Sequence, residues 1–506
     1  MNNNDKRLAI FSDLEYFAFY GFPDFDDEQR LQYFSFDEKE WNVILKCRSL
    51  HARVYCALQI GYFKAKNTFF SFSLNRAEVR ADVKFLLTTC FKNKALQKFD
   101  LTKHEIYTQR QAICHLFDYY FWTNEMSAEL SQRAKKSVTR DIAPNFIVYE
   151  LLTFLKNERI IRPGYTTLQK IIGKTLTKER ERLRIQLIRN LTEADTQELN
   201  RLLKTENTLS ELAALKQDAK NFDSHVMENE RKKHKALRPI YEVAKKVLPK
   251  LEISQQNIDH YASLANYYTV YEFERFEEEQ RYLYLLCYAF KRYQQITDTL
   301  IDALDFNVKK LEDEIKGRAK EQLAYDHLKV DKQVGRLILI YVDDDLSENL
   351  TLRELRQMAY EILPKNSIKI VGEKLVNKTK RDQELQWKER DKASRRYTHH
   401  LRPLLEMIEF DSRLTNNSLL AAIQWMKKVF KKGESLAQQD FGEFPQAIIS
   451  KRLRPYLITK NKEGEEIIDP RRYEILVYRQ IIKQIQTGAL HVESSTKHKT
   501  FYTQRR

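Results

Sequence analysis

Between Tyr267 and Leu304 the chain reads YYTVYEFERFEEEQRYLYLLCYAFKRYQQITDTLIDAL, with neither proline nor glycine. Tyr282, Leu285, Leu286, Ala289, Tyr293, Ile296 and Leu300 recur at spacings of three and four, which places them on one face of a long helix. That face must be buried. The opposite side, with Glu277, Glu278, Glu279, Arg281, Lys291 and Arg292, suits solvent or a polar partner. The tyrosines add large contact area with a polar tip. The same economy of helix breakers holds throughout: 506 residues contain only 11 Gly and 10 Pro, so turns are few and helices long. A chain of this length exceeds one hydrophobic core. The fold class expected is mainly α, a multidomain helical protein.

Charge narrows the partners. The 87 Lys and Arg against 71 Asp and Glu give +16, which favours a polyanion. Residues 1–50 hold ten acidic and six basic side chains, so the remaining chain carries about +20. The five cysteines, Cys47, Cys56, Cys90, Cys114 and Cys287, are scattered and read as reduced core residues of a cytosolic protein. The N-terminus has no apolar signal core and no run of 18 apolar residues occurs, so a soluble chain without membrane contact is expected.

Several stretches bear on binding. Ser35-Phe36-Asp37-Glu38 reads as a capping box opening a helix that points Trp41, Ile44 and Leu45 inward, and a second helix follows over about Leu50 to Phe63. Basic patches follow at Lys92 to Lys98 and Arg133 to Arg140. Further on, PNFIVYELLTFLKNERII is an amphipathic helix opened by Pro144, RPGY a turn with Gly164 free to take a positive φ, and TTLQKIIGKTL the start of another helix. Leu168, Ile171 and Ile172 point inward there, leaving Gln169, Lys170 and Lys174 outward, with Thr166 and Thr167 at the helix start where a phosphate is favoured. Helix, short turn, helix is the helix-turn-helix pattern, and an αα-hairpin with solvated lysines fits equally. Gly173-Lys174-Thr175 is no P-loop, because the glycine required five positions earlier is Leu168.

Residues 176–235 are highly charged, with Leu199, Leu202, Leu203, Leu209, Leu212 and Leu215 as an apolar seam of a short coiled coil or helical connector, followed by the basic cluster Arg231 to Lys235. Asp343, Asp344 and Asp345 read as a loop and helix start, since neighbouring carboxylates diverge rather than converge on a cation. From Glu373 to Arg402 ten basic side chains face five acidic ones, including Arg395 and Arg396. Such an Arg and aromatic mixture grips a DNA backbone or forms a helix face. The pair His399-His400 has no companion at metal-ligand spacing. No Ser-His-Asp, HExxH, Cys-His or paired-carboxylate constellation is found.

The run NYYTVYEFERF and then RYLYLLCYAFKRYQQITDTLIDAL resembles the N-terminal half of replicative transposases of the Tn-three type, where "RYLYLLCFxxxRYxxxxDxLxxAF" is expected. Arg281, Tyr282, Leu283, Leu285, Leu286, Arg292, Tyr293, Asp298 and Leu300 fall in place. RSLHARVYCALQIGYFK is similar to that family's "RxxxNRLGFALQLGYF", with Arg53 carried over, and NERIIRPGYTTLQKIIGKT to its "RRRRIxLPGYxTLExLV". DPRRYEILVYRQIIKQIQTGALHVESSTKHKTF resembles the junction that in the family precedes an RNase H-like domain; Ala489 replaces the usual Asp, and Lys497-His498 its Arg-Tyr pair.

The resemblance implies tandem helix-turn-helix-like DNA-binding modules at 1–70 and 71–180, a connector with the long helix at 181–310, a DNA-contact and dimerisation region at 311–450, and a junction at 451–506. The candidate DNA contacts are Arg48, Arg53, Lys64, Lys66, Arg159, Arg162, Thr166, Thr167, Gln169, Lys170, Lys174, Arg395 and Arg396. No residue matches the family's Asp-Asp-Glu triad, so no catalytic or metal site is expected in this chain, and Mg²⁺ only with the catalytic domain. The partners implied are double-stranded DNA of terminal inverted repeats, a homodimer mate and a separately encoded catalytic half, in the bacterial cytoplasm with the nucleoid. A truncated competitor that occupies the repeats and a helical protein-interaction scaffold are the alternatives.

Overall fold

The computed structural model describes residues 8–96, 101–206, 209–347, 350–376, 378–461 and 463–499. The expected mainly α fold is observed. Among the described residues the strands form three short antiparallel ribbons: Thr205–Glu206 with Leu209–Ser210, Asp411–Ser412 with Leu490–His491, and Ile458–Lys460 with Glu466–Ile468. The chain divides into two compact units, Met1–Leu199 with Val243–Tyr288, and Asn200–Glu242 with Ala289–Arg506.

In the first unit, helices Asp13–Tyr20, Asp27–Tyr33 and Glu38–Leu45 each start from a side-chain cap answered three residues on, by Ser12 with Glu15, Asp26 with Gln29 and Asp37 with Glu40. The third cap lies two residues beyond the expected Ser35, because Asp37 takes the Glu40 amide at 2.8 Å. As expected Ile44 is buried, but Leu45 is exposed and Trp41 half-buried against Phe36 and Phe91. Helix Leu50–Lys66 is buried on every side from Val54 to Phe63, which makes it the axis of this module. Gly61 is needed there, since a Cβ would stand 2.3 Å from the Phe34 ring.

Helices Met126–Arg140, Pro144–Asn157 and Tyr165–Asn190 pack on one another in the same unit. Helix Gln255–Tyr267 joins them through the buried Asn257, whose Oδ1 accepts from the Ile142 amide at 2.7 Å and whose Nδ2 donates to the Val138 carbonyl at 2.9 Å. That carbonyl lies in the last turn of Met126–Arg140, where intrahelical partners run out.

The stretch from Tyr267 is three elements rather than one helix. Tyr267 ends its helix, Thr269 caps the short Val270–Glu274 through Glu272, and the long helix runs Glu278–Leu339. All seven residues of the expected face are buried, and so are Leu283, Tyr284, Cys287 and Tyr288 around it. Arg292, expected at the solvent, is buried in the second unit and donates to the Leu215 carbonyl (2.8 Å), the Gln217 carbonyl (2.7 Å) and Asp218 (2.5 Å). The leucine seam is likewise buried at Leu199, Leu202, Leu212 and Leu215, but on short pieces separated by the paired strands Thr205–Glu206 and Leu209–Ser210, not on a coiled coil.

The second unit is held by arginine pairs between helices. Glu312 accepts from Arg390 at 2.9 and 2.7 Å and from the Tyr397 hydroxyl at 2.8 Å, with Arg479 at 3.2 Å. Arg402 pairs with Glu474 at 2.9 Å and Arg472 with Asp391 at 2.6 Å. Helix Pro470–Gln486 ends in Gly488 at φ +71, a left-handed turn that favours glycine. Beyond it the buried Asp298 accepts from the Ser495 hydroxyl and from the Thr496 amide at 3.0 Å. Two stretches that carry the transposase resemblance thus meet, while Phe501 lies outside the described residues.

Candidate nucleic-acid interface

The helix pair expected to read DNA exists as Pro144–Asn157 and Tyr165–Asn190, joined by the seven residues 158–164. Its turn is made differently from the expectation. Gly164 has φ −56, while Arg159 takes the left-handed conformation at φ +53. The connection is then stitched to residue 120: the Tyr120 amide donates to the Arg159 carbonyl at 2.8 Å, and the Ile161 amide to the Tyr120 carbonyl at 2.9 Å. The Arg159 guanidinium pairs with Asp118 at 3.1 Å, both about half or more exposed.

On the second helix Leu168, Ile171 and Ile172 are buried, as the spacing predicts. Thr166, Lys170 and Lys174 are exposed and Thr167 half-buried. Gln169, expected outward, is half-buried and donates to the Leu8 carbonyl at 2.8 Å. Lys178, absent from the sequence expectation, is exposed too and extends Lys170 and Lys174 by another four residues. The three lysines form a stripe about 12 Å long at 1.5 Å rise per residue. The i, i+4 spacing that reveals it was present in the sequence. No side chain caps this helix at Gly164, so its first-turn N–H groups keep their positive potential.

Several other candidate cations make contacts within the first unit. Arg53 donates to the Cys47 carbonyl at 2.9 Å and the Leu45 carbonyl at 3.3 Å, capping the preceding helix. Lys64 pairs with the buried Glu40 at 2.8 Å and donates to the Ser35 carbonyl at 2.7 Å. Lys66 donates to the Ala18 carbonyl at 2.7 Å. Arg162 donates to the Lys66 carbonyl and stands 5.5 and 5.6 Å from the Phe19 and Tyr20 rings. Burial lowers the pKa of Arg162. Burial, and then the Arg162 charge, lowers that of Lys66. With Lys156, a third cation missed in the sequence, they line a cavity of about 280 Å³. Arg48 is exposed.

In the second unit Arg395 is exposed, whereas Arg396 pairs with Glu314 at 2.6 Å. The Asp343 to Asp345 run is an exposed turn, and the next helix starts at Leu352 from its own Thr351 cap. His400 Nδ1 lies 2.7 Å from the Ser224 hydroxyl. Among the described residues no group of three or more His, Cys, Asp or Glu is placed to hold a metal ion, and no helix is long and apolar enough to cross a membrane.

Residues 10–175 match a family described as domain of unknown function (DUF4158). Over 379 residues the chain is 21% identical to the transposase for transposon Tn1546 of Enterococcus faecium, an alignment covering 70% of this chain and 35% of that protein. The chain therefore spans about a third of the length of that relative. The matched family lies over the N-terminal module and the lysine-bearing helix start, and the alignment makes this chain a distant relative of a transposase.

Proposed function

We propose that this chain is the DNA-binding part of a Tn-three-type transposase system, recognising the terminal inverted repeats of its element. The observation that carries the reading is the exposed Lys170, Lys174 and Lys178 stripe on a helix whose other face is locked into a three-helix packing. A rigid helix presenting spaced ammonium groups supplies phosphate contacts for affinity, and groove-facing side chains such as Thr166 supply sequence choice. In this reading the chain itself carries no catalytic residue. A separately encoded catalytic half would bring the carboxylate triad and its Mg²⁺, a second copy of the chain would complete the synaptic dimer, and the work would be done at the nucleoid in the cytoplasm.

A scaffold without specific DNA binding is favoured by one observation: Arg53, Lys64, Arg390, Arg396, Arg402 and Arg472 spend their head groups on internal partners, so much of the basic surplus does not face a ligand. Fluorescence anisotropy with a labelled repeat duplex and a scrambled duplex, each over a salt series, decides between them. Tighter binding to the repeat, lost in the Lys170→Ala/Lys174→Ala/Lys178→Ala triple variant, is expected. Equal affinity for both duplexes refutes repeat recognition, and absence of binding leaves the scaffold.

A further inference from the structure

The cavity in the first unit is built by segments far apart in sequence. Lys66 is the last residue of helix Leu50–Lys66, and Asn67 after it turns left-handed at φ +49. Lys156 sits in the last turn of helix Pro144–Asn157, and Arg162 follows the stitch between Ile160 and Tyr120. These residues line the cavity with Tyr119 and Thr153, and among the described residues no carboxylate lines it. Three cations thus share one hollow without a counter-charge in its wall. The Arg162 Nε is buried with no hydrogen-bond partner, an N–H whose desolvation nothing on the protein offsets. Burial lowers the pKa of both Arg162 and Lys66, with the Arg162 charge adding to the effect at Lys66, and a bound anion would offset that cost.

We propose that this cavity is a subsite for a phosphate of a DNA strand, held by Lys66, Lys156 and Arg162. At about 280 Å³ it is at the small end of ligand sites, enough for a phosphoryl group and the sugar that carries it. Guanidinium and ammonium groups together are the chemistry that recognises phosphate oxygens. The aromatic flank of Phe19 and Tyr20 holds the Arg162 plane in place before the anion arrives. The assignment rests on the DNA-binding reading above, and adds a defined phosphate contact outside the lysine stripe.

The test uses the full chain and a labelled duplex over a salt series. Lys156 is exposed, so Lys156→Ala should fold normally by circular dichroism. Losing one phosphate contact should reduce the slope of log K against log salt by about 0.9, which at 0.1 M salt is about eightfold weaker binding. Thr153→Glu, placing a carboxylate at the lining, should weaken binding in the same direction. An unchanged slope and affinity in both variants overturns the proposal. Calorimetric titration with inorganic phosphate and with AMP separates the sources: saturable binding of either, with unaltered DNA binding in the variants, makes this a free-anion site and overturns the DNA assignment. Loss of repeat preference with the slope change intact would sink repeat recognition and leave the phosphate subsite standing.

Discussion

Replacing Glu312 by alanine tests whether the arginine-rich helix Lys378–Met407 holds the second unit together. Glu312 is 7% exposed and receives two hydrogen bonds from Arg390, one from Tyr397 and the charge of Arg479. Burial alone would raise its pKa, yet the Arg390 hydrogen bonds and the two guanidinium charges bring it below the usual carboxylate value, so the carboxylate is the favoured form. Truncation leaves the Arg390 side chain, 3% exposed, as an uncompensated buried charge. Breaking a buried pair from one side costs about 3–5 kcal/mol, and the stranded Tyr397 hydroxyl belongs to the same loss. We expect Glu312→Ala to lose about 4 kcal/mol and Glu312→Gln, which keeps an acceptor, about half of that. Arg395→Ala, at an exposed position on the same helix, should stay within about 0.5 kcal/mol. Urea unfolding followed by tryptophan fluorescence reads the site, because Arg390, Arg472 and Arg479 lie 4.9, 5.7 and 6.0 Å from the Trp387 ring, with Trp387→Phe assigning the signal. A loss below about 1 kcal/mol in Glu312→Ala would refute the idea that these arginines are spent internally.

Two further outcomes follow from the second unit. His234 is buried, stacked 4.1 Å from Tyr293 with Nε2 3.1 Å from the Thr297 hydroxyl, and burial lowers its pKa from 6.5 to about 4. The unfolded chain therefore binds the proton first as pH falls, so stability is full above pH 6.5 and declines towards about pH 4, by on the order of 3 kcal/mol at 1.36 kcal/mol per pH unit. His234→Gln should flatten that slope in urea titrations between those limits, and an unchanged slope contradicts the assignment. Asp298→Ala removes the acceptor of the Ser495 and Thr496 donors, a local cost of about 1–3 kcal/mol, so trypsin should cut after Lys497 about 5- to 150-fold faster. Equal cleavage rates would mean that Asp298 does not pin the segment.

Local pattern suffices for the helical class, the inward face of the Tyr282 to Leu300 helix, and the Leu168, Ile171 and Ile172 side of the lysine-bearing helix. These are consequences of local periodicity and of few glycines and prolines, and a 3.6-residue repeat of apolar side chains is legible without knowing what it packs against. Boundaries were less legible. Asp37 with Glu40 won its cap over Ser35 two residues earlier, and Thr269 with Glu272 opened a separate short helix. Which cations face outward is set by long-range packing. Lys64 and Lys170 look alike in sequence, but one meets Glu40 from 24 residues away and the other does not turn inward. Local pattern places Arg292 outward and Arg396 and Arg162 among the DNA contacts, whereas each has an internal acceptor on a distant segment. A charge's role depends on whether desolvation is offset by a partner, and that partner is supplied by chain topology rather than by neighbouring residues. The cavity of Lys66, Lys156 and Arg162 has the same origin: three basic residues far apart in sequence share one hollow only because the fold brings their segments together.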